Sequence, residues 1–309
     1  MHWRYLLKKA LILAASLFLI ITLTFVFMKV IPGDPFMQEQ AIPKEIIKAL
    51  HKHYGLDDPL LVQYIRYLKG IMHFDFGPSF KYVGRSVSSL IAASYPVSFL
   101  IGAQAIIIAF CGGVFLGTLA ATHRGQWQDQ LAMLIGVIGI SVPSFITASV
   151  LQYILAMKLN ILPVALWGTW KHTIMPTISL SAIPMAFIAR LTRANVVETL
   201  EQDYILTARS KGLSTFQIIK RHVLRNSLIP VIAYLGPLTA VILTGSFVIE
   251  KIFGVPGLGS WFVLSIGNRD YTMIMGLTIF YSSLLLIAVF SIDILCAWLD
   301  PRIQYGKDR

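Results

Sequence analysis

The glycine-rich stretch "GVPGLG" (Gly254 to Gly259) is the first candidate for chemistry, because glycine-rich loops can bind phosphate through backbone N–H groups. Ser260 and Trp261 follow it, so it lacks the Lys and Ser or Thr of a G-x-x-x-x-G-K-[ST] loop. That motif occurs nowhere else in the sequence, and we predict no nucleotide or other cofactor site in this chain. Pro256 and Gly257 instead fit the centre of a type II turn.

The titratable side chains predict neither a catalytic site nor a metal site. The seven histidines are scattered, and His51 and His53 lie two residues apart, which puts them on different faces of a helix. A solvated surface is therefore favoured over a metal pair. Cys111 and Cys296 both lie in apolar stretches and indicate packing rather than a disulfide. No Ser/His/Asp set or H-E-x-x-H motif can be assembled, so the chain is not expected to be an enzyme.

The cationic segment "DYILTARSKGLSTFQIIKRHVLRN" (203–226) is the strongest candidate for binding. Its six basic or potentially basic side chains lie between two long apolar stretches. Helix formers run up to Lys211, and Gly212 fits the position just after a helix end. Ser214 fits the N-cap of a second helix, with Gln217 completing a capping box. The segment therefore predicts a helix, a glycine turn and a second short helix.

The second helix carries an apolar stripe beside its basic residues. Leu213 is placed to pack against Ile218 as a hydrophobic staple, and Phe216, Ile219 and Val223 recur at helical spacing. Within so small a loop this stripe has no partner, so it must bury itself in lipid headgroups or in another protein. The charge of the loop does not decide between lipid and protein, because a cationic loop also gains about 1 kcal/mol per basic residue at an anionic membrane.

Composition predicts the elements that hold this segment. Of 309 residues, 56% are hydrophobic and 13% charged, which is too little charge to cover a soluble globule. A helix needs about 17–25 apolar residues to cross a membrane, and the short alternating segments of a β-barrel are absent. We predict an all-α polytopic membrane protein with six transmembrane helices. The six windows free of Asp, Glu, Lys and Arg are 10–28, 86–123, 130–157, 172–189, 226–249 and 271–292.

Basic residues in the short loops predict the orientation. With the N-terminus inside, the cytoplasmic segments hold most Lys and Arg residues, and the short external loops hold only Lys158, Lys171, Lys251 and Arg269. The positive-inside rule then places both termini in the cytoplasm. Most of the net charge of +11 lies where the positive-inside rule places it, so nucleic-acid binding is not predicted. The first span is too long for a signal peptide and is interpreted as a retained anchor.

Polar residues inside the predicted spans are candidates for lining a pathway, because a polar group facing lipid is costly. Each is also placed to hydrogen-bond a neighbouring helix. Pro143 and Pro184 are expected to kink the third and fourth spans. For Asp293, pairing with Arg302 or with a neighbour's base is favoured over a proton relay. The pathway candidates are Gln104, Ser141, Ser144, Gln152, Ser181, Thr244 and Ser246.

The external segment, 32–94, opens with "IPGDPF", whose prolines and glycine end the first helix. Apolar residues then recur at helical spacing through "PKEIIKALHKHYGLDDPLLVQYIRYL". This pattern predicts two short amphipathic helices, broken between Gly55 and Pro59. They are expected to lie on the outer membrane surface or over the pore mouth.

Motifs along the whole chain resemble one family, the permease subunits of bacterial ATP-binding-cassette importers in the oligopeptide, dipeptide and nickel branch. In order they are "IPGDPF", "YGLDDPLLVQYIRYL", "FDFGPSF", "SVPSF", "EKIFGVPGLG" with "RDY", and "LDPRI". The cytoplasmic EAA loop of that family has a small residue and a glycine four positions later, which Ala208 and Gly212 match. Leu206 and Thr207 replace its Glu and Ala, and Arg225 replaces a frequent Pro. These departures resemble the form that the EAA loop takes in the peptide branch of the family.

The resemblance implies a type I importer permease fold and a role for the cationic segment. In the family the EAA loop docks in a groove of a cytoplasmic ATPase, so the resemblance favours docking over contact with lipid. The stretch at about 193–228 is then a coupling loop that passes the closing of the ATPase to the adjacent spans. The residues expected to dock are Thr207, Ala208, Arg209, Lys211, Gly212, Leu213, Ser214, Phe216, Ile219, Lys220, His222 and Arg225.

The resemblance also implies partners and a location in the bacterial cytoplasmic membrane. The partners are a second homologous permease subunit in a heterodimer, two ATPase subunits that use ATP and Mg²⁺, an extracytoplasmic substrate-binding protein, and membrane lipid. Peptide is the expected cargo, and nickel chelates or oligosaccharides are the alternatives within the family. A secondary transporter is less favoured, because no charge is predicted at mid-membrane.

The predicted organisation has three parts. Residues 1–31 form the N-terminal tail and first transmembrane helix, and 32–94 form the external segment. Residues 95–309 form a five-helix permease core that contains the coupling loop.

Overall fold

The fold is all-helical, as the sequence predicts. The computed structural model describes residues 3–31, 36, 44–82 and 84–299, and these residues form no β-strand. The helices are α1 (Trp3–Val30), α2 (Lys44–Tyr54), α3 (Leu60–Met72), α4 (Val87–Thr122), α5 (Trp127–Ser141), α6 (Ser144–Leu151), α7 (Lys171–Leu200), α8 (Asp203–Ser210), α9 (Thr215–Ile218), α10 (Leu224–Ser227), α11 (Ile229–Leu243), α12 (Phe247–Phe253), α13 (Leu258–Gly267) and α14 (Tyr271–Leu299). Two π-helical turns, Gln152–Lys158 and Ile219–Val223, continue α6 and α9.

Four helices, α1, α4, α7 and α14, are individually long and apolar enough to cross a membrane. Three bent pairs also qualify: α5 with α6 at 103°, α9 and α10 with α11 at 50°, and α12 with α13 at 105°. Counting each pair as one span gives up to seven spans in the described part of the chain. The predicted count of six, and the orientation derived from it, stay predictions.

The bend between α5 and α6 lies within the "SVPSF" motif. Val142 has φ −91° and ψ 116°, because a residue before proline is disfavoured in the helical conformation. Pro143 then precedes the first residue of α6. The kink predicted there is therefore a complete break. At Pro184, by contrast, α7 continues as a single helix.

The most extensive helix contact in the described part of the chain joins α4 to α7, and glycines on α4 allow it. A Cβ added at Gly113 would lie 2.6 Å from Ile188 Cγ2, and one at Gly117 would lie 2.7 Å from Thr192 Cβ. The two backbones therefore approach closely, as small residues permit in membrane helices. Helices α5, α6 and α11 also pack against α7, and α11 packs against α14.

Helix α1 lies at the edge of this bundle and packs along α14. Near one end of the contact Lys9 donates to the Asp293 carboxylate. The predicted pairing of Asp293 with a base is confirmed in kind, although its partner is on α1. Arg302 lies outside the described residues.

The external segment contains the two short helices that the sequence predicts, α2 and α3, with the break between Gly55 and Pro59. Most of the preceding "IPGDPF" motif lies outside the described residues. After α3, Ser79 donates to the Asp270 carboxylate, which also accepts from the N–H of Phe80 at 3.2 Å. Asp270 is 1% exposed and thus ties this segment to the start of α14.

Candidate functional site

The candidate loop comprises α8, the turn at Gly212, and α9 with its continuation to α10. Gly212 has φ +78°, a left-handed conformation that favours glycine, and its N–H donates to the Arg209 carbonyl at 2.9 Å. The Ser214 hydroxyl accepts from the N–H of Gln217 at 3.4 Å, and Gln217 Oε1 accepts from the N–H of Ser214 at 3.0 Å. The predicted glycine turn and capping box are both confirmed.

The inner face of the loop packs against the chain's own helices. The buried cluster formed there consists of Ala121, Val196, Ile205, Ala208, Ile218 and Val223. Leu213 packs against it, as expected for the predicted staple. The prediction that the whole stripe lacks a partner in the chain is wrong at Val223, which is fully buried. The π-helical turn changes the residue spacing and so rotates Val223 away from the face of Phe216.

The outer face of the loop is exposed and apolar in part. Phe216 is 71% exposed and Leu206 is 65% exposed. Of the predicted docking residues only Ala208 is buried, and Leu213, Ile219 and His222 are half-buried. The exposed ones are Thr207, Arg209, Lys211, Gly212, Ser214, Phe216, Lys220 and Arg225. Large apolar side chains among basic residues are typical of an interaction surface.

Four of the seven predicted pathway residues make hydrogen bonds inside the chain. Gln104 Oε1 accepts from Thr177 Oγ1 at 3.0 Å, which joins α4 to α7. Gln152 donates to backbone carbonyls before α7 and in α12, at 2.9 and 3.2 Å. Ser181 and Thr244 donate to carbonyls three residues earlier in their own helices. The bonds of Gln104 and Gln152 thus join different elements, whereas those of Ser181 and Thr244 stay within one helix.

The other three pathway candidates lie at breaks between helices. Ser141 is exposed at the end of α5, Ser144 is half-buried at the start of α6, and Ser246 is half-buried just before α12. The fold therefore places Ser141 and Ser144 on either side of the 103° bend. Pathway lining stays a prediction for all seven residues.

A buried carboxylate that sequence reasoning missed holds the hairpin of α12 and α13. Glu250 is 4% exposed; its Oε1 accepts from Ser98 Oγ of α4 at 2.7 Å, and its Oε2 accepts from the N–H of Ser260 at 3.1 Å. Ser98 Oγ in turn accepts from the N–H of Leu258 at 2.8 Å. Glu250 and Ser98 thus satisfy the N–H groups at the start of α13, where negative charge is favoured.

Two glycines allow this arrangement. Gly254 ends α12 with φ +61°, and a Cβ at Gly257 would lie 2.6 Å from Glu250 Oε2. The predicted type II turn is wrong, because that turn needs a positive φ at Gly257, which has φ −91°. Glu250 was assigned no role of its own, because it served only as the boundary of a charge-free window and as the first residue of the "EKIFGVPGLG" motif. The available signal was an acid lying directly between an apolar run and a glycine-rich turn.

A second missed pair joins α5 to α7. Arg193 donates from Nε to Asp129 Oδ1 at 2.6 Å and from Nη2 to Asp129 Oδ2 at 2.7 Å. Asp129 is 5% exposed, and its Oδ2 also accepts from the N–H of Gly125 at 3.0 Å. Such a bidentate pair fixes both distance and orientation. The two residues are 64 positions apart, so no local pattern predicts the contact.

A cavity of about 910 Å³ lies between the end of α1, α3 and the start of α14. Phe25, Lys29, Arg66, Tyr67 and Tyr271 are among its lining residues, and none of the seven pathway candidates lines it. Burial raises the pKa of the Tyr67 phenol, which keeps it neutral. Within the described part of the chain, no cluster of three His, Cys, Asp or Glu side chains could hold a metal ion.

Comparison with known proteins identifies the class to which this fold belongs. The model of a protein family described as "binding-protein-dependent transport system inner membrane component" matches residues 113–305. The model for the N-terminal part of such components matches residues 2–101. The chain belongs to this family of permease components. It is a multi-pass protein of the inner membrane.

Particular relatives match over nearly the full length. The chain is 51% identical over 304 residues to the dipeptide transport system permease protein DppB of Bacillus subtilis, covering 98% of this chain and 99% of the relative. It is 41% identical over 304 residues to the oligopeptide transport system permease protein OppB of Salmonella typhimurium, with the same coverage.

A solved structure supports the fold. The inward-facing MetNI methionine ABC transporter matches with a TM-score of 0.57 at 17% identity, covering 68% of this chain and 96% of the matched chain. At this identity the likeness concerns the fold alone. The type I importer permease fold implied by the motifs is confirmed.

Proposed function

We propose that this chain is a permease subunit of an ATP-driven importer and forms half of the pathway for peptides across the cytoplasmic membrane. The observation that carries the proposal is the 51% and 41% identity to a dipeptide and an oligopeptide permease over 98% of the chain. Nickel chelates and oligosaccharides are the cargoes that the test below must exclude.

In this proposal ATP hydrolysis belongs to separate subunits. Two cytoplasmic ATPases bind ATP and Mg²⁺, and this chain binds no cofactor, in agreement with a sequence that contains no G-x-x-x-x-G-K-[ST] motif. A homologous permease subunit completes a heterodimer, an extracytoplasmic binding protein delivers the peptide, and lipid surrounds the spans.

The candidate loop supplies the docking surface for an ATPase. Its inner face is buried against α4 and α7, while Phe216 projects from the outer face. Burying Phe216 in a groove contributes about 1.5–3 kcal/mol. Exposed ion pairs through Lys220 and Arg221 contribute about 0–1 kcal/mol each and are screened by salt. Docking therefore depends mainly on the apolar contact.

The experiment purifies the chain in mild detergent with the products of neighbouring genes and measures co-eluting ATPase. Phe216→Ala is expected to release the ATPase, and Lys220→Ala with Arg221→Ala to weaken retention only modestly at physiological salt. Uptake of a mixed dipeptide and tripeptide library into proteoliposomes, compared with nickel chelates and oligosaccharides, identifies the cargo. Failure of any ATPase to co-elute with the wild-type chain would overturn the proposal. If the loop instead rests on lipid, Phe216→Ala leaves ATPase retention unchanged and the basic pair alters attachment to anionic vesicles.

A further inference from the structure

The Asp129–Arg193 pair lies where the candidate loop meets the helix bundle. Val196 follows Arg193 on α7 by three residues and is buried against the inner face of the loop. Residues three apart on a helix are neighbours on one face, so a force on the loop reaches α7 within one turn of Arg193. Asp129 lies in the first turn of α5, which leads directly to the 103° bend.

We propose that Asp129 and Arg193 are positioning residues that join α5 rigidly to α7, so that displacement of the docking loop moves the bent α5–α6 segment. The inference rests on the proposed function, because it requires an ATPase that displaces the loop. Neither side chain contacts the cargo. Both act through the two helices that they connect.

The geometry suits a rigid connection. Two parallel N–H to oxygen bonds fix the separation and the relative rotation of the two side chains, which a single bond from a lysine would not do. The N–H of Gly125 holds the same carboxylate from the α4–α5 turn. Asp129 is buried and Arg193 is half-buried, so separating the two would leave the carboxylate as an uncompensated buried charge. The pair therefore stays intact while the helices move.

The surroundings of the pair are polar as well. Of the five buried side-chain atoms that have no hydrogen-bond partner among the described residues, four lie on α4, α5 and α7, and three of the residues that carry these four lie within two positions of Asp129 or Arg193. Buried polar groups are normally paired, so a shift of α5 and α7 against α4 can form new hydrogen bonds here. The four atoms are Thr118 Oγ1, Gln128 Oε1, Thr192 Oγ1 and Asn195 Nδ2.

A second ion pair nearby provides the matched control. Arg124 Nη1 donates to Glu201 Oε1 at 2.7 Å, but the two side chains are 60% and 66% exposed. Solvent and salt screen such a pair. It also spans from the α4–α5 turn to the end of α7, yet its exposure leaves it too weak to transmit a displacement.

The test uses the whole importer in proteoliposomes, with the mixed dipeptide and tripeptide library as cargo, and measures peptide uptake per ATP hydrolysed. Asp129→Asn and Arg193→Gln are each expected to lower this ratio at least about fivefold, within the usual range of coupling between sites. The double variant is expected to show the same loss as either single variant, because the connection is broken once in all three. Arg124→Gln is expected to leave the ratio unchanged.

The outcomes separate this inference from the proposed function. If the assembled Asp129→Asn importer has an unchanged ratio of peptide uptake to ATP hydrolysis, the rigid connection is wrong. A purely structural role would lower hydrolysis and uptake together and so leave that ratio unchanged. Absence of ATP-driven uptake in the wild-type complex overturns the proposed function instead.

A distance measurement tests the connection with the native pair in place. Spin labels are attached at the exposed positions Gln130→Cys on α5 and Ala194→Cys on α7, in a chain with Cys111→Ala and Cys296→Ala. The label distance is expected to stay the same before and after ATP binding. A change in that distance would show that the two helices separate, and the inference would be wrong.

Discussion

At the scale of single residues, Gly212 sets the direction of α9 in the candidate loop. Its φ of +78° costs an L-residue about 1–2 kcal/mol. No atom lies within 4 Å of a Cβ built at this position, so steric crowding adds nothing. The turn therefore depends on backbone conformation alone.

Gly212→Ala is expected to lower peptide uptake about tenfold at equal membrane abundance, because about 1.4 kcal/mol of backbone strain depopulates the docking orientation by that factor. Gly168→Ala is the matched control, since Gly168 is equally uncrowded and has no positive φ. Uptake and quantitative immunoblotting of membranes check the result. Equal uptake in the two variants contradicts the role assigned to Gly212.

Individual residues were predictable where their partners are close in sequence. Gly212 and the Ser214–Gln217 capping box were found because both depend on neighbours within a few positions. Glu250, by contrast, accepts a hydrogen bond from Ser98, which lies 152 residues earlier in the sequence. Hydropathy and periodicity carry no information about such pairs. Asp129 and Arg193 were missed for the same reason.

At the scale of helices, the α4–α7 contact depends on glycines that no larger residue can replace. Gly117 approaches α7 so closely that an added Cβ would overlap the Ala189 carbonyl oxygen and lie 3.0 Å from the Arg193 nitrogen. On α5, a Cβ at Gly136 would find only the Ala186 oxygen, at 3.8 Å. The two positions therefore predict opposite responses to the same substitution.

Gly117→Ala is expected to lower the free energy of unfolding by about 1–3 kcal/mol, the usual cost of overpacking. Gly136→Ala is expected to be neutral or slightly stabilising, because alanine favours a helix over glycine and has room. Thermal unfolding of each purified variant in the same detergent compares them. A lower midpoint for Gly136→Ala than for Gly117→Ala would contradict this account of the interface.

Helix existence was largely predictable, and helix direction was not. The apolar windows located the long helices, and the amphipathic pattern located α2 and α3. The window 130–157 was treated as a straight span, whereas the chain turns by 103° at Val142, and the hairpin from Phe247 to Gly267 begins at the end of the window 226–249 and was not predicted. Hydropathy measures apolar length and does not register a bend. Pro143 was the local signal for a bend, but the angle of the bend depends on the surrounding packing.

At the scale of the whole molecule, the hairpin of α12 and α13 decides how many times the chain crosses the membrane. If the hairpin enters and leaves on the same side, six crossings remain and both termini are cytoplasmic. If the hairpin instead spans the membrane, the chain crosses seven times and its two termini lie on opposite sides. Val248 and Gly267, at the outer ends of the two arms, are both exposed and therefore distinguish the two arrangements.

Cysteines at Val248 and Gly267 are both expected to react with an impermeant thiol reagent added to intact cells, and a cysteine at Lys211 is not. The positive-inside rule and a re-entrant hairpin together require this pattern. Lys69→Cys serves as the external control, because Ser79, although in the same segment, is buried against Asp270. Opposite labelling of Val248→Cys and Gly267→Cys would establish a seventh crossing.

The contact of α1 with α14 has a consequence for biosynthesis. Lys9 is made 284 residues before its partner Asp293, which corresponds to roughly 15–60 s at a translation rate of about 5–20 residues per second. During that interval one end of α1 resides in the bilayer without its final neighbour, while the α4–α7 contact can already form. Helix α1, the first to be inserted, is therefore among the last helices to make its final contacts.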